Sequence, residues 1–280
     1  MSAVSMDEIV KQIHDLPSLP VVVMELLASI GNDDFDLKQL AAKITLDQSL
    51  TAKTLRLANS SFYGMQSTVT SIRQAIAVLG FHSIRTLVTA CSVSAAFTPA
   101  PGQRFDFTAF WRHSVATAVA AKALAPHLRQ NPDTAFTAGL LHDLGTLVLV
   151  SRYPARYEEA LAYRQSHDCG VAEAERAIFG VDHALVGGAL AAHWKFPATI
   201  EYAVSGHHAP DSPETDGLQL TIHLANVLAH GLDLSGTEDD LAPALSHSAW
   251  RAFDLSDDAW LALFEEIEQA FRDVARILVR

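Results

Sequence analysis

Cysteine is scarce. The 280 residues hold two, Cys91 and Cys169, and neither belongs to a Cys-x-x-Cys pair. That argues against a disulfide framework and points to a reducing compartment. Basic charge is also short: 20 Lys and Arg face 32 Asp and Glu, a formal net charge of −12. No Lys/Arg run builds a basic patch. A surface of this sign repels phosphate backbones and anionic headgroups, so neither nucleic-acid binding nor membrane docking is expected. The N-terminus carries Asp7 and Glu8 and lacks the basic and apolar regions of a signal peptide. No apolar run is expected to reach the roughly 18–20 residues of a spanning helix. The cytoplasm is the expected location.

What is present is apolar and periodic. Hydrophobic residues make up 49% of the chain, enough for a sizeable core in one large domain or two modest ones. No stretch alternates like a strand, and spacings of three and four recur throughout, so the expected class is all-α. Ser5-Met6-Asp7-Glu8 reads as a capping box. Pro20 and Pro197 suit helix starts, Gly80 suits a helix end, and Asp182 and Ser256 suit N-caps. Further helices are expected over Phe110–Leu124, Thr134–Val150, Val171–Phe179, Asp182–Trp194 and Leu218–Ala229. Asn59, Ser60 and Tyr63 read as capping and turn residues. Thr98-Pro99-Ala100-Pro101-Gly102 is the clearest linker. It divides the chain into an N-terminal helical part, 1–98, and a second helical part, 99–280.

Histidine is abundant, with thirteen in the chain, several inside apolar helical stretches. His142 and Asp143 stand side by side in Gly139-Leu140-Leu141-His142-Asp143-Leu144-Gly145. A charged aspartate there is costly unless it is paired or holds a metal. An isolated His-Asp pair also fits a buried hydrogen bond. Imidazole nitrogen with carboxylate oxygen suits Zn, Fe or Mn. His113 falls on a small, apolar helical face. His183 opens the helix after Asp182, His207 and His208 end the helix begun by Pro197, and Asn226 is an amide in an apolar helix. Glu173, Glu175 and Glu201 read as solvated helix faces, with the alternative that one of them supplies another carboxylate to the site. His14, His82, His127, His167, His193, His223, His230 and His247 read as ordinary packing or surface residues.

In this order the residues resemble the HD superfamily, and more specifically its HDOD branch. Supporting segments are Leu16-Pro17-Ser18-Leu19-Pro20, Leu55-Arg56-Leu57-Ala58-Asn59-Ser60, Phe110-Trp111-Arg112-His113-Ser114, the His142-Asp143 segment, Trp194-Lys195-Phe196-Pro197 and His207-His208. The resemblance implies an N-terminal helical bundle packed on an HD-like helical domain. It also implies a ligand set in which His113 is the first histidine and His142 with Asp143 the pair. His183, His207 and His208 look like the extra histidines of the HD-GYP branch. Three positions depart from the catalytic pattern. Asn226 stands in place of the last aspartate, Ala109 lies where some relatives carry a glutamate, and no Gly-Tyr-Pro follows His208.

The resemblance therefore implies a bacterial signalling or regulatory module, non-catalytic, acting through contacts with signalling proteins or a second copy. Its metal site is degenerate and suited to one divalent ion, Fe, Zn or Mn. The alternative it implies is a divergent metal-dependent phosphohydrolase acting on nucleotides or cyclic dinucleotides.

Overall fold

The computed structural model of the protein describes residues 4–30, 37–59, 68–97, 104–236 and 241–278. Among the described residues the chain is all-α, with no strand. The Thr98–Gly102 linker and residues Ser60 to Gly64 lie outside them. The first part comprises α1 (Met6–His14), α2 (Val21–Ala28), α3 (Leu37–Leu46), α4 (Gln48–Ala58), α5 (Ile72–Leu79) and α6 (Phe81–Ala96). The Ser5 hydroxyl caps α1 by accepting from the Glu8 N–H, and Gly80 ends α5 at φ +79°. Asn59 clamps the chain ahead of α5: its Nδ2 donates to the Val69 carbonyl at 2.7 Å, and its Oδ1 accepts from the Val69 N–H at 2.6 Å. That is a turn-fixing role.

The second part contains α7 (Phe107–Leu124), a 3-10 turn (Ala125–Leu128), α8 (Pro132–Leu141) and α9 (Leu144–Arg152). It continues through α10 (Pro154–His167), α11 (Val171–Phe179), α12 (His183–His193) and α13 (Ala198–Gly206), then α14 (Gly217–Gly231), α15 (His247–Ala252) and α16 (Asp257–Leu278). Helices α2 to α6 pack on one another, while α1 packs on α12. The apolar core runs through both parts, and α6 meets α8.

α7 is the axis of the second part, packed by α8, α14 and α16. It is buried without a break from His113 to Ala121. Ala116, Ala118, Ala120 and Ala121 within that run keep its surface low, so two helices can come close.

The single helix expected over Thr134–Val150 is two helices. The chain turns at His142 and Asp143, between α8 and α9. Pro132–Arg152 is long and apolar enough to cross a membrane by composition, which the sequence reading did not anticipate. It is broken by this turn, and most of it is buried in the fold.

Two glycines set the approach of the helices that meet at the turn. A Cβ on Gly139 would stand 2.8 Å from the Ala118 Cα and 2.9 Å from the Thr117 carbonyl oxygen of α7. One on Gly145 would stand 2.0 Å from the His183 carbonyl oxygen and 2.5 Å from the Gly187 nitrogen of α12. Only hydrogen fits at either place. The glycines let α7 and α12 close on the His142-Asp143 turn from two sides.

Candidate metal centre

The turn delivers His142 and Asp143 to a point where four other helix positions converge. His113 comes from the middle of α7 and His183 from the first turn of α12. His207 and His208 follow the end of α13, whose run stops at Gly206. Asp143 is the hub. Its Oδ1 lies 3.1 Å from His142 Nε2, 3.2 Å from His183 Nε2 and 3.5 Å from His207 Nε2. Its Oδ2 lies 3.6 Å from His113 Nε2. His113 Nε2 is 3.3 Å from His142 Nε2, and His208 Nε2 is 2.9 Å from His183 Nε2. The atoms form two triads, His113/His142/Asp143 and His183/His207/His208, each with its donor atoms within 4.8 Å of one another.

The far sides of three rings decide what the near sides offer. His142 Nδ1 donates to the Gly139 carbonyl at 2.8 Å and His207 Nδ1 donates to the Val204 carbonyl at 2.7 Å. A carbonyl only accepts, so both Nδ1 atoms carry a proton, and in the neutral tautomer that this fixes, the Nε2 atom presents a lone pair to the centre. His183 Nδ1 is likewise committed, to Glu175 at 2.6 Å. Such backing fixes tautomer and ring orientation in metal-ligating histidines.

Charge follows the same plan. Burial drives the pKa of His142 well below the ordinary histidine range, with Asp143 opposing, so the ring is neutral. Burial also lowers His208, helped by His207 and His183. For His183 burial is overcome by Glu175 and Asp143, which hold its pKa well above the usual value. Burial opposes ionising Asp143, yet the charge and hydrogen bond of His183 keep its carboxyl well below the usual range.

These residues fit a divalent cation. Asp143 Oδ1 and His207 Nε2 are buried and meet no hydrogen-bond geometry, although nitrogens surround the oxygen. Lone pairs facing one another at such distances need a cation or proton among them. A mixed nitrogen and oxygen donor set suits Zn, Fe or Mn.

Asn226, 3% exposed, lines the same cavity as His113, Asp143, His183 and His208, and its Oδ1 is buried without a hydrogen-bond partner. The cavity measures about 650 Å³ and opens over the centre, with Leu241 to Ser246 along one wall. Ala109 belongs to α7, one turn before His113.

Glu175 corrects the sequence reading. It is fully buried rather than a solvated face, and its Oε2 accepts both from the His183 backbone N–H at 2.8 Å and from Nδ1. The signal was in the spacing. Ala172, Glu175 and Phe179 stand at i, i+3 and i+7, and all are buried, so Glu175 occupies a core-facing position of α11. Glu173 is exposed and Glu201 half-buried. Two histidines read as bland also touch the centre. His230 packs its ring against His113 at a tilt of 37° with centroids 4.3 Å apart, and His223 Nδ1 donates to the His207 carbonyl at 2.9 Å.

Asp182 sets the entry of α12. It accepts from the Leu185 N–H at 3.0 Å and pairs with Arg176. Asp182→Ala is expected to cost roughly 1–2 kcal/mol, the usual loss of an N-cap, read as a lower denaturation midpoint. An unchanged midpoint would show that α12 is held by packing alone.

A family model described as the HDOD domain matches residues 16–210. A crystal structure from Shewanella amazonensis SB2B, of a protein named provisionally as a phosphohydrolase, is 27% identical. It aligns over 96% of this chain and 97% of that one, with TM-score 0.75. The structure of an HDOD domain protein of unknown function from Geobacter sulfurreducens is 21% identical, with 98% of each chain covered and TM-score 0.78. An uncharacterized protein of Treponema pallidum is 28% identical over 232 residues, 80% of this chain and 44% of that protein. The chain thus spans less than half the length of this relative.

Proposed function

Because the chain belongs to the HDOD domain family, we propose that it is a regulatory module that holds a divalent metal at an HD-type centre. It acts on signalling proteins through contacts, in the cytoplasm, rather than through turnover. The family is related to the HD phosphohydrolases. The observation that carries the reading is the convergence of His113, His142, His183 and His207 on the single carboxylate of Asp143, with His208 against His183.

When bound, a divalent ion supplies Lewis acidity and stabilises charge developing on a phosphoryl oxygen. The chain supplies the rest. His142 and His207 present rings fixed by their carbonyl partners, and Asp143 gives one direct negative charge. Two dications would bring four positive charges against that one carboxylate, because position 226 is a neutral amide. The shortfall supports binding without hydrolysis.

A specific observation favours a second reading. The cavity of about 650 Å³ leaves room for a small phosphate ester beside the centre. On that reading the chain is a divergent phosphohydrolase of nucleotides or cyclic dinucleotides.

Hydrolysis assays separate the two. The metal-supplemented protein, its His142→Ala variant and its Asn226→Asp variant are each assayed on nucleotides and cyclic dinucleotides. The regulatory reading expects no turnover that depends on His142 in the natural sequence. Turnover abolished by His142→Ala would replace it with the second reading.

A further inference from the structure

We infer that Glu175 is the second acid of the centre, a positioning residue that lends negative charge to a metal through the imidazole of His183. The inference rests on the metal reading above and adds to it a residue outside the ligand set.

Glu175 is fully buried on α11, and both of its hydrogen bonds go to His183. The shorter, 2.6 Å, is to Nδ1, in the range of a charge-assisted bond. Its other oxygen, Oε1, is buried without a hydrogen-bond partner. A carboxylate in that position is costly unless positive charge balances it. The imidazole between them transmits that demand to Nε2, which faces Asp143 and His208.

The two triads differ in a way that gives Glu175 its use. One contains Asp143, whereas the other, His183/His207/His208, is made of imidazoles alone. With Asn226 neutral, the all-imidazole triad faces only Asp143, whose Oδ1 it shares with the first triad. Glu175 stands directly behind one of its three rings. The second triad then has a relayed carboxylate beside the one it shares. A structural role competes with this one, because Glu175 also accepts the His183 backbone N–H at the first turn of α12.

Glu175→Gln separates the two roles, since the amide keeps an acceptor oxygen and loses the charge. The full chain is stripped of metal and titrated with Co²⁺ alone, in competition with a chelator. The expected result is weaker binding by about 10–100-fold, the usual cost of losing an outer partner of a metal-bound histidine. In a His183→Ala background the same substitution should cost nothing further, because the relay is already cut.

Equal affinity of Glu175→Gln and the natural sequence overturns the inference and leaves the metal reading intact. Equal losses with and without His183 also overturn it, because Glu175 would then be acting on the fold. No Co²⁺ bound by the natural sequence removes the metal reading itself. Should Glu175→Gln fail to fold, the natural sequence loaded with Zn²⁺ answers by NMR. A far-downfield Nδ1 proton retained on His183 supports the relay, and its absence overturns it.

Discussion

Asp143→Asn is expected to abolish metal binding while leaving the fold in place. The change is nearly isosteric and removes the one carboxylate that touches the centre directly. Its Oδ1 stands 3.1–3.5 Å from three imidazole nitrogens, so no other group can take its position. The loss of affinity should exceed the roughly 10–100-fold that removing an outer partner costs. Thermal unfolding gives a second readout. A ligand at a thousandfold excess over its dissociation constant stabilises the native state by about 4 kcal/mol. For a chain of this size that corresponds to a rise of roughly 10 °C. The natural sequence should show such a metal-dependent rise, and Asp143→Asn should show none. Because each protein is compared with itself, a change in metal-free stability does not confuse the result. A rise that survives in Asp143→Asn would mean that the imidazoles alone hold the ion.

Gly145→Ala should be the most damaging single methyl group in the second part. The added Cβ would meet the His183 carbonyl oxygen at 2.0 Å and the Gly187 nitrogen at 2.5 Å. Both are backbone atoms of α12, so no side chain can swing away. Either α9 or α12 must move, and overpacking against backbone of this kind is expected to cost about 3 kcal/mol, the upper end of the usual range. The movement also separates Asp143 from His183, so metal affinity should fall together with stability. Gly187→Ala provides the contrast. Its Cβ would meet Val204 Cγ1 at 2.8 Å, a side-chain atom, and its nearest backbone contact is 3.2 Å. Its cost should be clearly smaller. A Gly145→Ala protein with an unchanged denaturation midpoint would show that α9 and α12 are not held at this distance.

Much of this arrangement is legible in the residues. Periodicity alone gives the all-α class, and the His142-Asp143 pair marks the centre because an acid inside an apolar helix needs a reason. Asp182 and Pro197 mark helix starts, and these starts place His183 and the His207-His208 pair near the chain turns that face the centre. What stays hidden depends on distance through space. The break between α8 and α9 carries no proline, only His142 and Asp143 themselves, so local propensity reads one continuous helix there. Glu175 has the spacing of a core position but the chemistry of a surface one, and sequence reasoning weighs the chemistry first. Only the meeting of α11 with the start of α12 shows that His183 satisfies it. The resemblance puts Asn226 in the place of the last aspartate, but only the fold shows that it lines one cavity with Asp143.

The most direct measurement is the metal content of the purified natural-sequence protein, by elemental analysis, beside Asp143→Asn prepared in the same way. The account predicts at least one zinc, iron or manganese ion per chain in the first and none in the second. A natural-sequence protein that carries no transition metal, and takes up none when one is supplied, would contradict it.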